Sequence, residues 1–391
     1  MSATYAHLSA EQLELLRECE LLARDELAPI ARTGEPGRVN RALLAALADH
    51  GLLARLFPAA GGVDAVQLCL IREGLARHCT DAETAFALQG LGAHPIAVAG
   101  REEVRSHWIP RVVRGEAVVA FALTEPDAGS DAAALSLAAD ADGDAYVLRG
   151  EKAFISNAPE ADIYTVFART SVDRTRGITA FAVPGESAGL SGERTLLLSD
   201  HAIGRLRFDD VRVPATHVLG DVGGGLTLAL RTLDLFRPSV GACAVGMAQA
   251  ALDLAVAHAA KRSAFGAPLS RLQALTHQLA DVATLIQAAR LLVHAAAQAH
   301  ARGAEGTSAA AAMAKLFATE AAARAIDVAI QVHGARGLER GHPLEHLYRD
   351  ARGTRIYEGA SEVQREIIAR HLFRSAASAA APPTPRDASP A

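Results

Sequence analysis

Apolar residues recur at three- and four-residue steps near both ends of the chain, and in its middle they fall in short runs of strand length. Ser9-Ala10-Glu11-Gln12 has the form of a capping box. It predicts a helix carrying Leu13, Leu16, Cys19, Leu22 and Leu27 on one face, with Pro29 expected to end it. Helical patterns follow over 40–52 (Leu43, Leu44, Leu47), about 63–77 and about 80–114, the last expected to break near Gly90-Leu91-Gly92 and Gly100. Residues 1–116 therefore read as an all-helical domain.

The period then shortens. Runs at 118–123, 135–140, 145–149, 163–168, 178–183, 195–198 and 204–213 are separated by Gly-, Pro- and Asp-rich turns, including the hairpin dipeptide Asp142-Gly143. Short strands without intervening helices predict an antiparallel β-barrel or sandwich over 117–217. Helical spacing returns over 226–262, 269–302 and 308–334, and a last helix is predicted over 361–373, making a C-terminal four-helix bundle of residues 218–374. From 375 to 391, Ala, Ser and Pro dominate, which predicts a disordered tail. The fold class is α+β and multidomain: helical, β, helical.

Composition narrows the function. A net charge of -5 supplies no basic excess for neutralising phosphates, which argues against nucleic acid as a partner. No run of 18 apolar residues occurs, so no membrane partner is expected, and Met1–Tyr5 lack the basic and apolar regions of a signal peptide. Cys19, Cys69, Cys79 and Cys243 are scattered without metal-ligand spacing, so no metal is expected and a reduced, cytoplasmic setting is.

Candidate chemistry centres on Arg355-Ile356-Tyr357-Glu358-Gly359-Ala360-Ser361-Glu362-Val363-Gln364. Ser361 and Gln364 have capping-box spacing, so Glu358 falls in the turn before a helix. A carboxylate held there beside apolar neighbours has two readings, a surface Glu or a base with a raised pKa. Upstream, Leu123-Thr124-Glu125-Pro126-Asp127-Ala128-Gly129-Ser130-Asp131 ends a strand in a loop of small and hydroxyl residues. Such a loop either closes a corner of the β domain or holds a flat heteroaromatic edge or an anion. It is neither a P-loop nor GxGxxG.

Taken together, five segments resemble the acyl-CoA dehydrogenase flavoprotein family, short- and medium-chain members in particular. They are Ala122–Asp131, Gly150-Glu151-Lys152-Ala153-Phe154-Ile155-Ser156-Asn157, Arg262-Ser263-Ala264-Phe265-Gly266, Gln331-Val332-His333-Gly334-Ala335 and Ile356-Tyr357-Glu358-Gly359, in the family's order. The resemblance implies FAD between the β domain and the bundle, with Leu123, Thr124, Gly129, Ser130, Phe154 and Ser156 on the flavin side. It implies that a neighbouring subunit of a homo-oligomer (a dimer of dimers) supplies Arg262, Phe265, Gln273, Gln331 and Gly334, with Ala360 and Glu362 also toward the cofactor.

The implied reaction is α,β-desaturation of an acyl-CoA thioester. Glu358 removes the α proton, flavin N5 takes the β hydride, and electrons pass to an electron-transfer flavoprotein. Ser130, Asp234, Arg237 and Gly359 fall on the substrate side. Leu233-Asp234-Leu235-Phe236-Arg237-Pro238 resembles the segment where some relatives carry their base; Phe236 cannot serve, which leaves Glu358. Arg237 is expected beside the site or paired with Asp234. An oxygen-using flavoenzyme or an enoyl-CoA reductase of the same fold is the alternative. Phe154 replaces the usual tryptophan, Ala335 a glycine and Ala360 a threonine. The segment at 198–204 departs from the family pattern, with His201 as a candidate replacement contact for CoA.

Overall fold

A computed structural model describes residues 5–58 and 62–380. The N-terminal helices are α1 (Ala10–Leu22), α2 (Ala28–Ala31), α3 (Arg41–Asp49), α4 (Ala65–His78), α5 (Thr80–Ala99) and α6 (Glu102–Val113). Ser9 and Gln12 form the reciprocal capping box that opens α1. Pro29 does not end the helical path. A π turn over Ala23–Leu27 leads into α2, with Pro29 in its first turn, where its missing N–H costs no hydrogen bond. Nor does α5 break at its glycines. A Cβ on Gly90 would lie 2.9 Å from the Phe236 ring, so this glycine marks a close helix approach.

The sheet comprises β1 (Val119–Ala122), β2 (Ala138–Asp142), β3 (Ala145–Ser156), β4 (Ile163–Arg169), β5 (Ile178–Pro184), β6 (Leu190–Arg194), β7 (Ile203–Pro214) and β8 (Val218–Leu219). Their order is β6-β7-β3-β2-β4-β5-β8, with β1 beside β4. Most pairs are antiparallel, but β1 runs parallel to β4, and β2 meets β4 in a single parallel pair. The hairpin at Asp142-Gly143 forms as expected, Gly143 at φ +63°. The strand expected at 195–198 forms instead at Leu190–Arg194, since it is those residues that take up the β7 ladder.

The C-terminal bundle is α7 (Gly225–Lys261), α8 (Gln273–Ala301), α9 (Thr307–His333), α10 (Pro343–Thr354) and α11 (Ser361–Ala380). A two-stranded hairpin, β9 (Ser263–Ala264) and β10 (Ala267–Pro268), lies between α7 and α8. α11 runs past 375, into the segment expected to be disordered; residues 381–391 lie outside those described. α7 and α8 are long and apolar enough to cross a membrane. Most of α7 is taken up by packing, its buried Ala242–Ala248 stretch lying in the same core as α4 and α9. That core continues from the N-terminal helices through one face of the sheet, and a second gathers Ile96, Trp108, Val119, Phe167 and Leu226. The interface of sheet and bundle is where the chemistry-bearing segments meet.

Candidate active site

A cleft of about 730 Å³ opens between the loop after β1, the end of β3, α7, the start of α9, the turn before α11 and α11 itself. It brings together Leu123, Thr124, Gly129, Ser130, Phe154, Ser156, Asp234, Arg237, Glu358 and Gly359, residues spread over more than half the chain. Leu88 and Leu91 of α5, Phe121 of β1 and Leu233 of α7 contribute apolar lining.

Below the loop at 123–131, Lys152 and Glu125 form a buried ion pair at 2.8 Å. Lys152 also donates to the Leu123 carbonyl, and the Glu125 carboxylate accepts from the Ser136 and Leu137 N–H groups. Burial pushes Lys152 down to about 8. For Glu125 burial acts upward, but the Lys152 charge and these hydrogen bonds hold it below the ordinary carboxylate value. A loop tied at both ends this way presents its outer hydroxyls in a set position. Phe154 projects into the cleft at φ +55°, with 51% of its surface exposed. An aromatic side chain held exposed on strained backbone fits a stacking role toward a flat ligand.

On the facing side, Glu358 sits at φ +52° and Gly359 at φ +95°. Left-handed geometry at a Glu costs roughly 1–3 kcal/mol and persists only where the surroundings impose it. Here three side chains grip the turn. Arg237 Nε donates to the Glu358 carbonyl (3.2 Å), Lys315 Nζ to the Gly359 carbonyl (2.8 Å) and Gln364 Nε2 to the Gly359 carbonyl (2.9 Å). The capping box expected of Ser361 and Gln364 is therefore not made. Gln364 turns back to the Glu358-Gly359 turn, and the Ser361 hydroxyl donates to Glu320. Arg237 meets both expectations: it touches the turn, and it pairs with Asp234 at 2.7 Å.

The Glu358 Oε2 is shut off from solvent and has no hydrogen-bond partner among the described residues. An uncompensated carboxylate oxygen is costly unless the group serves a ligand or protonates. Burial raises its pKa above the ordinary carboxylate value. Arg72, Lys315 and Arg237 act against that shift, and Glu83 adds to it. A base of this kind works only when ionised, so its rate should rise with pH through a limb displaced upward from the usual carboxylate range. A pH–rate profile whose acid limb lay at or below that of a free carboxylate would contradict this placement of Glu358.

Other expected residues lie outside the cleft. Arg262 and Phe265 stand at the β9–β10 hairpin, where Phe265 is 97% exposed at φ +52°, and Gln273 is exposed at the start of α8. Gln331 and Gly334 are exposed at the end of α9. The rings of His258 and His333, centroids 4.2 Å apart, bring the ends of α7 and α9 together as a second cluster. Ala360 and Glu362 do not line the cleft; Glu362 is exposed, 3.9 Å from Arg365. Phe236 is fully buried against Gly90 and His94, behind the cleft and not in its lining. His201 also lies elsewhere, 4.0 Å from Asp350. Arg72 and Lys315, which act on Glu358 and its turn, escape a motif search, and the capping-box spacing of Gln364 does not reveal its grip on the turn. Their signal is subtler, a single charged or amide side chain on an otherwise apolar helical face.

Three family models cover nearly the whole chain: "Acyl-CoA dehydrogenase, N-terminal domain" at residues 9–116, "middle domain" at 120–211 and "C-terminal domain" at 223–373. The chain belongs to the acyl-CoA dehydrogenase family. It is similar to cyclohexane-1-carbonyl-CoA dehydrogenase of Geobacter metallireducens, at 36% identity over 94% of this chain and 99% of that one. The mitochondrial short-chain specific acyl-CoA dehydrogenase of Bos taurus is 40% identical over 93% and 91% of the two chains. Among solved structures, butyryl-CoA dehydrogenase from Megasphaera elsdenii superposes with a TM-score of 0.88 at 34% identity, covering 94% of this chain and 99% of that one. This acyl-CoA dehydrogenase homologue is thus an oxidoreductase whose family cofactor is FAD. Its cleft fits such a group, with an exposed aromatic and a hydroxyl-lined loop on one side and an orphaned carboxylate oxygen on the other.

Proposed function

We propose that the protein desaturates an acyl-CoA thioester between Cα and Cβ and passes the electrons to an electron-transfer flavoprotein. The observation that carries this reading is the unpartnered Oε2 of Glu358, in the same cleft as Phe154, Thr124 and Ser156. Thr124, Ser130, Phe154 and Ser156 would hold FAD, which supplies the hydride acceptor. Glu358 takes the α proton onto a carboxylate that burial has already made more basic. As the proton leaves, negative charge develops on the thioester oxygen and requires a donor. The Glu358 N–H donates to no backbone carbonyl among the described residues and is the donor this chain offers. Asp234, Arg237 and Gly359 border the substrate side, with Arg237 fixing the turn through the Glu358 carbonyl.

Leu88, Leu91, Phe121 and Leu233 would enclose the acyl chain. The names of the relatives, butyryl, short-chain and cyclohexane-1-carbonyl, support a short or compact acyl group. Anaerobic titration with straight, branched and cyclic acyl-CoAs, following flavin bleaching, tests the reading. Failure of every acyl-CoA to reduce the flavin would refute it.

The exposed cluster at Arg262, Phe265, Gln331 and Gly334 would meet the FAD of a second subunit, which makes the active form an oligomer. Arg262→Ala should then weaken FAD retention and subunit association together. Gel filtration with the flavin-to-protein absorbance ratio measures both, and loss of neither would reject the shared site.

A further inference from the structure

Four charged side chains act on Glu358 through space, and they are not equivalent. Arg72 of α4 is already matched by Glu83 of α5, both only 2% exposed. Arg237 of α7 is matched by Asp234. Lys315 of α9 is fully buried among Ala311, Ala312, Ala314 and Ala318 and, among the described residues, has no carboxylate within ion-pair distance. Its Nζ makes one hydrogen bond, to the Gly359 carbonyl. An ammonium without a counter-ion in such surroundings is expensive to keep charged, and of the charges acting on it, that of Glu358 supports it most, followed in that sense by Glu320 and Glu362. Glu320 is otherwise engaged by Arg355 and Ser361, and Glu362 is exposed.

We propose that Lys315 is the one counter-charge of the active-site base that no other carboxylate pairs with among the described residues, a positioning residue that acts on the reaction by helping to keep Glu358 ionised. This rests on Glu358 serving as the base. Lys315 is not needed to hold the turn, because Gln364 grips the same Gly359 carbonyl and Arg237 the Glu358 carbonyl. Its distinctive contribution is its charge. When Glu358 takes up the substrate proton, Lys315 loses its partner, so the protonated state is disfavoured and the proton is released more readily afterwards. Burial pushes the ammonium down to about 8, with the Glu358 carboxylate acting in the opposite direction. The two groups therefore stabilise each other's charged forms.

The test uses the FAD-loaded enzyme and an acyl-CoA that reduces the wild type. Without the neighbouring cation the carboxylate ionises at higher pH. In Lys315→Met the acid limb of flavin reduction should move upward, slowing the reaction roughly tenfold in mildly acidic buffer. The deficit should shrink toward alkaline pH with KM little changed, and Lys315→Arg should restore the wild-type limb. A limb that stays in place, or a rate lowered by the same factor at every pH, would overturn the proposal. A second readout needs no turnover: thermal unfolding of wild type, K315M, E358Q and the double variant, all with FAD. Removing the ammonium should cost less once Glu358 is neutral, and an equal cost in both backgrounds would assign Lys315 to the fold alone. If no acyl-CoA reduces the wild type, the desaturation reading fails, while the thermal cycle still decides whether Lys315 and Glu358 are coupled.

Discussion

Glu358→Gln leaves a folded, yellow protein that acyl-CoA no longer bleaches. The amide keeps the shape of the carboxylate, and the grips on the turn come from Arg237, Lys315 and Gln364 to backbone carbonyls, so they do not depend on the side chain's charge. What disappears is the ability to accept a proton. A positioned base contributes about 10²–10⁴-fold, so the rate constant for flavin reduction should fall by at least that range. The loss should appear in kcat with KM little changed, because the amide still fills the cleft. Rapid-mixing absorbance measurements under anaerobic conditions check this. Reduction at close to the wild-type rate would remove Glu358 from the mechanism.

Arg72→Met is expected to be the most destabilising single change in the neighbourhood of the site. Arg72 and Glu83 are both almost completely buried, and the guanidinium also donates to the Ser239 hydroxyl at 2.7 Å. Methionine fills much of the arginine stem's space but leaves the Glu83 carboxylate without its partner. Breaking a buried pair from one side costs about 3–5 kcal/mol. Pairing the change with Glu83→Gln should recover much of the loss, since no uncompensated charge then remains. Chemical or thermal unfolding of the two single variants and the double variant measures the coupling. Additive losses would mean that the two side chains act independently. Arg72→Met should also raise the acid limb of activity, as the Arg72 charge is the largest of those favouring ionised Glu358.

The helical, β, helical order was legible in hydrophobic spacing, and the segments that line the cleft were legible as motifs. The misreadings share a cause. Glycine weakens an isolated helix, so Gly90 reads as a breaker, but α5 needs it for contact with Phe236, more than a hundred residues away. Ser361 and Gln364 have capping-box spacing, yet carbonyls held in a left-handed turn compete for the glutamine, and that turn is also gripped by Arg237, more than a hundred residues away. The parallel pairing of β1 with β4 likewise depends on a partner distant along the chain, about which alternation within a single strand carries no information.

Local pattern by itself determined the helical, β, helical order and that Glu358 stands in a turn before a helix; that Phe236 leaves no second base in α7 followed from the resemblance of its segment to that of the family. Propensity, turn chemistry and the identity of ionisable groups act over a few residues, so they can be read in order along the chain. Tertiary structure alone decided that Glu358 is desolvated with an unpartnered oxygen, that Arg72 and Arg237 are already neutralised, and that Lys315 is not. Those are properties of dielectric and distance among helices far apart in sequence, and a carboxylate's strength as a base depends on both.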